Sequence, residues 1–155
     1  MAIKQRMPVR FEDVFPAGAF FRGEVTAVED FDLIQRAKAE GREPGDVQVR
    51  DKETGLRVWE FRVVDLDEEA PKGQGDIVVK IAAEQQPVPP PRVEGLPLRP
   101  VELVGLTLTG WIDDRGSRAK LAWSFRAEGM RAPGAKQPTG STGKPPSSGS
   151  EKGGA

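Results

Sequence analysis

The 155-residue chain contains no cysteine and no histidine. Without cysteine there is no disulfide framework, no thiolate nucleophile and no cysteine-based zinc site. Without histidine the Ser-His and Cys-His catalytic arrangements, the histidine metal sites and the usual general base near neutral pH are excluded as well. An enzyme would have to work with carboxylates and lysines. We therefore expect a non-enzymatic binding or regulatory protein, with no catalytic residue, no metal and no cofactor.

The chain also lacks a long apolar run and an excess of charge of either sign. No stretch approaches the roughly 18 apolar residues of a membrane span, and the N-terminal residues lack the apolar core of a signal peptide. We expect a cytoplasmic protein that does not contact a membrane. The 23 basic and 24 acidic residues give a net charge of −1. Indiscriminate nucleic-acid binding is therefore unexpected, although charge can still be divided between faces.

The most clearly patterned stretch is residues 101–131. In its first arm the apolar residues Val104, Leu106, Leu108 and Ile112 share one phase, and Thr107 and Thr109 share the other. A returning arm places Leu121, Trp123 and Phe125 opposite in phase to Lys120, Ser124 and Arg126. This period of two is typical of a sheet with one buried face. Residues 113–116, with the sequence DDRG, supply a turn between the arms. The pattern predicts a long β-hairpin.

The aromatic residues of the predicted strands divide into two groups. Trp111 lies in phase with the threonines, so its ring is either covered by a neighbouring loop or offered to a partner. A core position is predicted for the others, which have apolar neighbours in phase. These are Trp59, Phe61, Trp123 and Phe125.

Strands are also predicted from Ala19 and over the segment DIVVKIAAE. The segments on either side of the KETG turn at residues 52–55, VQVRD and LRVWEFRVVDL, form either a second hairpin or one strand after a short lead-in. Residues 30–46 are ambiguous. They form either a short helix, with Asp32 as its cap and Gly41 at its end, or a loop. Six prolines between residues 87 and 100 predict an extended connection.

The remaining segments predict little regular structure. The acidic stretch of residues 65–69 is either a divalent-metal site or a solvated loop, and we favour the loop. Residues 1–10 are expected to be an extended arm, and the Gly/Pro/Ser-rich residues 132–155 a disordered tail. The fragment GSTGKPP in this tail is not a phosphate loop, because Pro145 stands at the Ser/Thr position.

About five short strands and no confidently predicted helix indicate an all-β fold for residues 1–131, and we expect a small five-stranded OB-like barrel. The final hairpin resembles the corresponding region of bacterial single-stranded-DNA-binding proteins. The shared features are an internal glycine, a tryptophan near the strand end and an acidic turn with glycine. They fall on Gly105, Trp111, Asp113, Asp114 and Gly116.

If the apolar phase of every strand forms the core, the opposite phase carries a candidate DNA-binding face. Its members are Phe20, Arg22, Arg62, Lys80, Trp111, Lys120 and Arg126. Aromatic rings between cations suit single strands, because bases stack on rings while cations hold phosphates. The alternative is an ordinary solvated face. Glu24, Glu60 and Glu128 share the same phase and oppose a polyanion.

Several short segments resemble the plasmid replication, integration and excision activators of actinomycete integrative conjugative elements. They are residues 15–19 (FPAGA), 54–59 (TGLRVW), 79–83 (VKIAA) with 87–89 (PVP), 105–107 (GLT) and 124–127 (SFRA). This resemblance implies an intracellular accessory protein, not an enzyme, that promotes replication, integration and excision of such an element.

We therefore expect a DNA-binding accessory protein of a mobile element, with single-stranded DNA as the expected partner. Replication or recombination proteins of the same element are further candidate partners. The alternative is a protein-protein interaction module or a transcription-activating regulator without single-strand binding, acting through Trp111 or an unpaired strand edge. Such edges would also allow self-association.

Overall fold

A computed structural model describes residues 5–70 and 75–134. The tail beyond residue 134, including its GSTGKPP fragment, lies outside the described residues. The elements in chain order are β1 (Met7–Pro8), α1 (Phe11–Val14), β2 (Ala19–Ala27), α2 (Phe31–Ala39), β3 (Val58–Asp65), β4 (Asp76–Ala82), β5 (Arg99–Val104), β6 (Thr107–Asp113), β7 (Lys120–Ala127) and β8 (Gly129–Arg131).

These strands form one curled half-barrel sheet in the order β1-β6-β7-β4-β3-β2-β5-β8. The β4–β7 pair is parallel, and the other six pairs described are antiparallel. The prediction of a mostly β protein is confirmed, whereas the five-stranded barrel is not, because the described strands number eight. Two of the additional strands arise where long strands are interrupted, at residues 105–106 and at Glu128. The third is β1, in which the N-terminal arm pairs with β6.

The core fills the concave side of the sheet with alternate strand residues. The largest fully buried side chains are Phe15, Phe21, Phe61, Ile81, Val63, Val79 and Val101. The alternation changes phase at Gly105, whose φ of +63° is accessible mainly to glycine. Val101 and Leu103 are therefore buried before this point and Leu106 after it, while Val104 is half-buried.

The segment between β2 and β3 contains helix α2, which resolves the ambiguity of residues 30–46. Asp30 is the N-cap, because its carboxylate Oδ1 accepts hydrogen bonds from the backbone NH groups of Asp32 and Leu33. Gly41, with a φ of +68°, follows the end of the helix as expected. The structure thus confirms the helix and moves its cap from Asp32 to Asp30.

The proline-rich connection carries no helix or strand between residues 83 and 98, as predicted. Its predicted end is wrong, because Arg99 and Pro100 belong to β5 and pair with β2. Its first residue, Ala83, accepts a hydrogen bond of 2.8 Å from the indole of Trp59. Within the described ranges, neither helix has the length and apolar character required to span a bilayer.

Candidate nucleic-acid interface

The strand register places all seven predicted binding residues on one side of the sheet. Residues paired directly across neighbouring strands point to the same side. Arg22 pairs with Arg62, and Lys80 pairs with Arg126. Phe20 lies two residues before Arg22 on β2 and therefore points to the same side. Trp111 and Lys120 lie in the same phase as Arg126 along β6 and β7. We call this convex side, which carries the seven residues, the outer face.

Arg22 and Arg62 form a cationic pair on the outer face. Both guanidinium groups donate to Asp76 Oδ2 at 3.4 Å. Their side chains are 59% and 62% exposed, so water screens these contacts strongly. Two positive charges share one carboxylate here, so the group keeps a net positive charge.

The second cationic pair, Lys80 and Arg126, is more constrained. Lys80 is exposed and lies opposite Glu60 on β3. Arg126 Nη2 donates to Asp51 Oδ1 at 2.9 Å, and its side chain is only 23% exposed. Arg126 is therefore held within the protein by a carboxylate, which leaves it poorly placed for a phosphate.

Asp51 is the residue that sequence analysis missed. It is 6% exposed, and its Oδ2 accepts hydrogen bonds from both the backbone NH and the hydroxyl of Thr54. Arg6 approaches its other oxygen at 3.6 Å. Burial alone would raise the pKa of Asp51, but the hydrogen bonds from Thr54 and Arg126 and the charge of Arg126 outweigh it and lower the pKa to about 2. Asp51 therefore stays ionised and ties the residue 51–55 turn to β7.

Trp111 lies near the distal end of the β6–β7 hairpin, with 38% of its surface exposed. The guanidinium of Arg115 lies 5.4 Å from the ring centroid. Arg115 also donates to the Asp113 carboxylate, which lowers the pKa of Asp113. The turn thus covers part of the ring and leaves the rest accessible.

The prediction that Trp123 belongs to the core is wrong. Trp123 pairs with Gly110, on the opposite face of the hairpin from Trp111, and is 44% exposed. Its neighbours in phase, Ile112 and Leu121, are 63% and 59% exposed. The predicted side of the strand is correct for Trp123, but the distal half of the hairpin extends beyond the residues that would cover that side. Phe61 is buried as predicted, whereas Trp59 and Phe125 are only partly buried against the core.

A cleft of about 770 Å³ lies between β4 and β7, beside the outer face. Its carboxylates are Glu60, Asp65, Asp67, Glu69, Asp76 and Asp113, and its cations are Lys80 and Lys120. Within residues 5–70 and 75–134, no group of three or more acidic side chains is arranged to hold a metal ion.

No family model, curated protein or solved structure matches the chain. The geometry of the outer face and the cleft is therefore the evidence for the function.

Proposed function

We propose that this protein is a cytoplasmic, non-enzymatic accessory protein of a mobile element that binds single-stranded DNA across the outer face of an OB-like barrel. In this role it promotes plasmid replication, integration and excision by holding the DNA that these processes expose. The observation that carries the proposal is the connectivity of the strands around the sheet.

The connectivity becomes that of five strands when the interrupted strands are joined. We take β2, β3 and β4 as the first three, the segment from β5 through β6 as the fourth, and the segment from β7 through β8 as the fifth. The pairings then run first-second-third-fifth-fourth-first, with the parallel pair between the third and fifth. This arrangement supports an OB-like barrel, and the ligands of OB-folds lie across the second and third strands and the adjoining loops.

The charges of the outer face support a modest affinity. Arg62 and Lys80 lie on the second and third strands, which an OB-fold ligand would cross, and Arg22 lies beside them on the first strand. Asp76 and Glu60 balance these cations only in part. Three phosphate contacts would give a slope of about −2 for the logarithm of the binding constant against the logarithm of salt concentration. Stacking of one base on Trp111 would add about 1–3 kcal/mol.

The test is fluorescence anisotropy with labelled oligo(dT) of about 20 nucleotides and a duplex of matched length, at about 50 and 200 mM salt. We expect preferential binding of the single strand, with an affinity that falls as salt rises. Trp111→Ala should raise Kd roughly 5- to 150-fold, and Arg62→Gln should make the salt slope shallower by about 0.7.

Two matched controls accompany these variants. Trp123→Ala removes a similarly exposed ring from the opposite face of the same hairpin, and Arg36→Gln removes an exposed cation of helix α2. Neither should change Kd appreciably. Absence of binding to either DNA at micromolar protein would refute the proposal, and a preference for duplex would refute its single-strand part.

A second candidate function, protein-protein interaction without DNA contact, is favoured by one observation. Carboxylates outnumber lysines six to two around the cleft between β4 and β7. Such a lining repels phosphates and attracts the basic side chains of proteins.

A further inference from the structure

We propose that the cleft between β4 and β7 binds an extended segment of a partner protein in which basic and apolar residues alternate. The segment would add as a strand to the edge of β7 that faces the cleft. Lys80, Trp111 and Lys120 of the outer face also line the cleft, so separate assays are needed to distinguish this interaction from DNA binding.

The parallel strands β4 and β7 pair along only part of their length. β4 begins at Asp76 and β7 at Lys120, yet their described ladder runs only from the Val79–Phe125 pair to the Ile81–Ala127 pair. Before that point β7 remains paired with β6 on its other side, as far as Lys120. No described residue pairs with residues 120–124 on the side that faces the cleft, so these residues present a strand edge there. Strand edges of this kind bind extended peptides through main-chain hydrogen bonds.

The side chains on either side of this edge include exposed apolar surface. Leu121 and Trp123 project from one side of β7 and Ala122 and Ser124 from the other, and all four line the cleft. Leu121 is 59% exposed and Trp123 44% exposed, so an added strand would cover apolar surface that is now hydrated. Because side chains alternate along an added strand, its apolar residues would meet Leu121 and Trp123 on one side.

Negatively charged side chains line the end of the cleft. Asp65, Asp67 and Glu69 come from the end of β3 and the loop after it. Two of these carboxylates shape the loop, since Asp65 accepts the backbone NH of Asp67 and Asp67 accepts that of Glu69. Lysine or arginine side chains of the partner complement this charge.

The same charge disfavours a nucleic acid in the cleft. Phosphates gain affinity mainly by replacing counterions on basic groups, and the two lysines of the cleft are outnumbered by carboxylates. A basic peptide is the ligand whose charge and shape both fit.

The experiment uses the full chain, labelled with ¹⁵N, and a fluorescein-labelled peptide of about eight residues with alternating lysine and valine. The comparison peptide has glutamate in place of lysine. We expect the basic peptide to bind at least about ten times more tightly and to shift the amide resonances of residues 76–78 and 120–124.

Substitutions of cleft residues test the contributions of charge and apolar surface. Asp67→Asn combined with Glu69→Gln should raise the peptide Kd about 3- to 10-fold, and Leu121→Ser should raise it by a similar factor. Asp13→Asn removes one exposed carboxylate that pairs with Arg10 elsewhere, and should leave the Kd unchanged.

Three outcomes would overturn the proposal. They are equal binding of the basic and acidic peptides, an unchanged Kd in the Asp67/Glu69 variant, and resonance shifts confined to residues outside the cleft. If the Kd is unchanged in the Asp67/Glu69 variant and oligo(dT) displaces the peptide, the cleft binds DNA instead. Because the peptide and DNA assays have separate readouts, failure of one proposal is distinguishable from failure of the other.

Discussion

The substitution Asp51→Asn tests the contact network that ties the residue 51–55 turn to the sheet. Asparagine keeps the shape of the side chain and an oxygen that can accept from Thr54. It removes the charge that pairs with Arg126 at 2.9 Å and with Arg6 at 3.6 Å. The guanidinium of Arg126, which is 23% exposed, then loses its counter-charge. We expect a less stable protein at neutral pH.

The magnitude follows from the pKa of Asp51, which is lowered from 3.8 to about 2. This difference corresponds to about 2 kcal/mol of unfolding free energy at most, and screening by water around the two arginines reduces it to roughly 1–2 kcal/mol. Because the folded-state pKa is lowered, the contribution is complete above the unfolded pKa of 3.8. It is lost as pH falls through the folded pKa of about 2, and about half remains at pH 3.

The assay is denaturant unfolding of the wild type and Asp51→Asn at pH 7 and pH 3. We expect a difference of roughly 1–2 kcal/mol at pH 7 that shrinks by about half at pH 3. Asp13→Asn is the control, because its pair with Arg10 is exposed and should contribute less than about 0.5 kcal/mol. Equal stability of Asp51→Asn and wild type at pH 7, or a difference independent of pH, would refute the reasoning.

Two other substitutions test the fold. Asp30→Ala should destabilise the protein by about 1 kcal/mol in denaturant unfolding, because it removes the N-cap of α2, and Asp32→Ala should cost less; the reverse order would contradict the cap seen here. Ile81→Ala should cost about 2–5 kcal/mol because Ile81 is 1% exposed, whereas Leu121→Ala should change stability by less than about 0.5 kcal/mol. A large loss for Leu121→Ala would mean that the distal hairpin is covered.

The sequence contained enough information to predict most of the strands. Alternation identified β2 and β4, because each has a buried face that accepts apolar residues, and it also identified the β6–β7 hairpin, whose distal half is exposed. Helix α2 was harder to predict. Ala37 is its only buried residue, so hydrophobic periodicity is weak and the cap specifies the helix. The cap predicted from the sequence is Asp32, whereas Asp30 has the extended backbone conformation of an N-cap and Asp32 lies inside the helix.

The site was only partly predictable. Strand phase brought seven residues to one face, because pairing across strands preserves the side of each residue. It could not reveal that Asp51 neutralises Arg126, since these residues are distant in sequence and meet only through the tertiary fold. It also misplaced Trp123, because alternation indicates the side of a strand on which a residue lies and not whether that side is covered.

Both proposals place a ligand against the exposed distal part of the β6–β7 hairpin, and substitutions there distinguish DNA binding from peptide binding. Trp111 and Trp123 lie on opposite faces of this hairpin with similar exposure, and both border the cleft. If DNA stacks on the outer face, loss of Trp111 weakens DNA binding while loss of Trp123 does not. If a peptide adds to the edge of β7, loss of Trp123 weakens peptide binding through its apolar contact. If loss of Trp111 and loss of Trp123 each weaken the binding of both DNA and peptide, the two ligands bind at one overlapping site. DNA and partner protein would then compete.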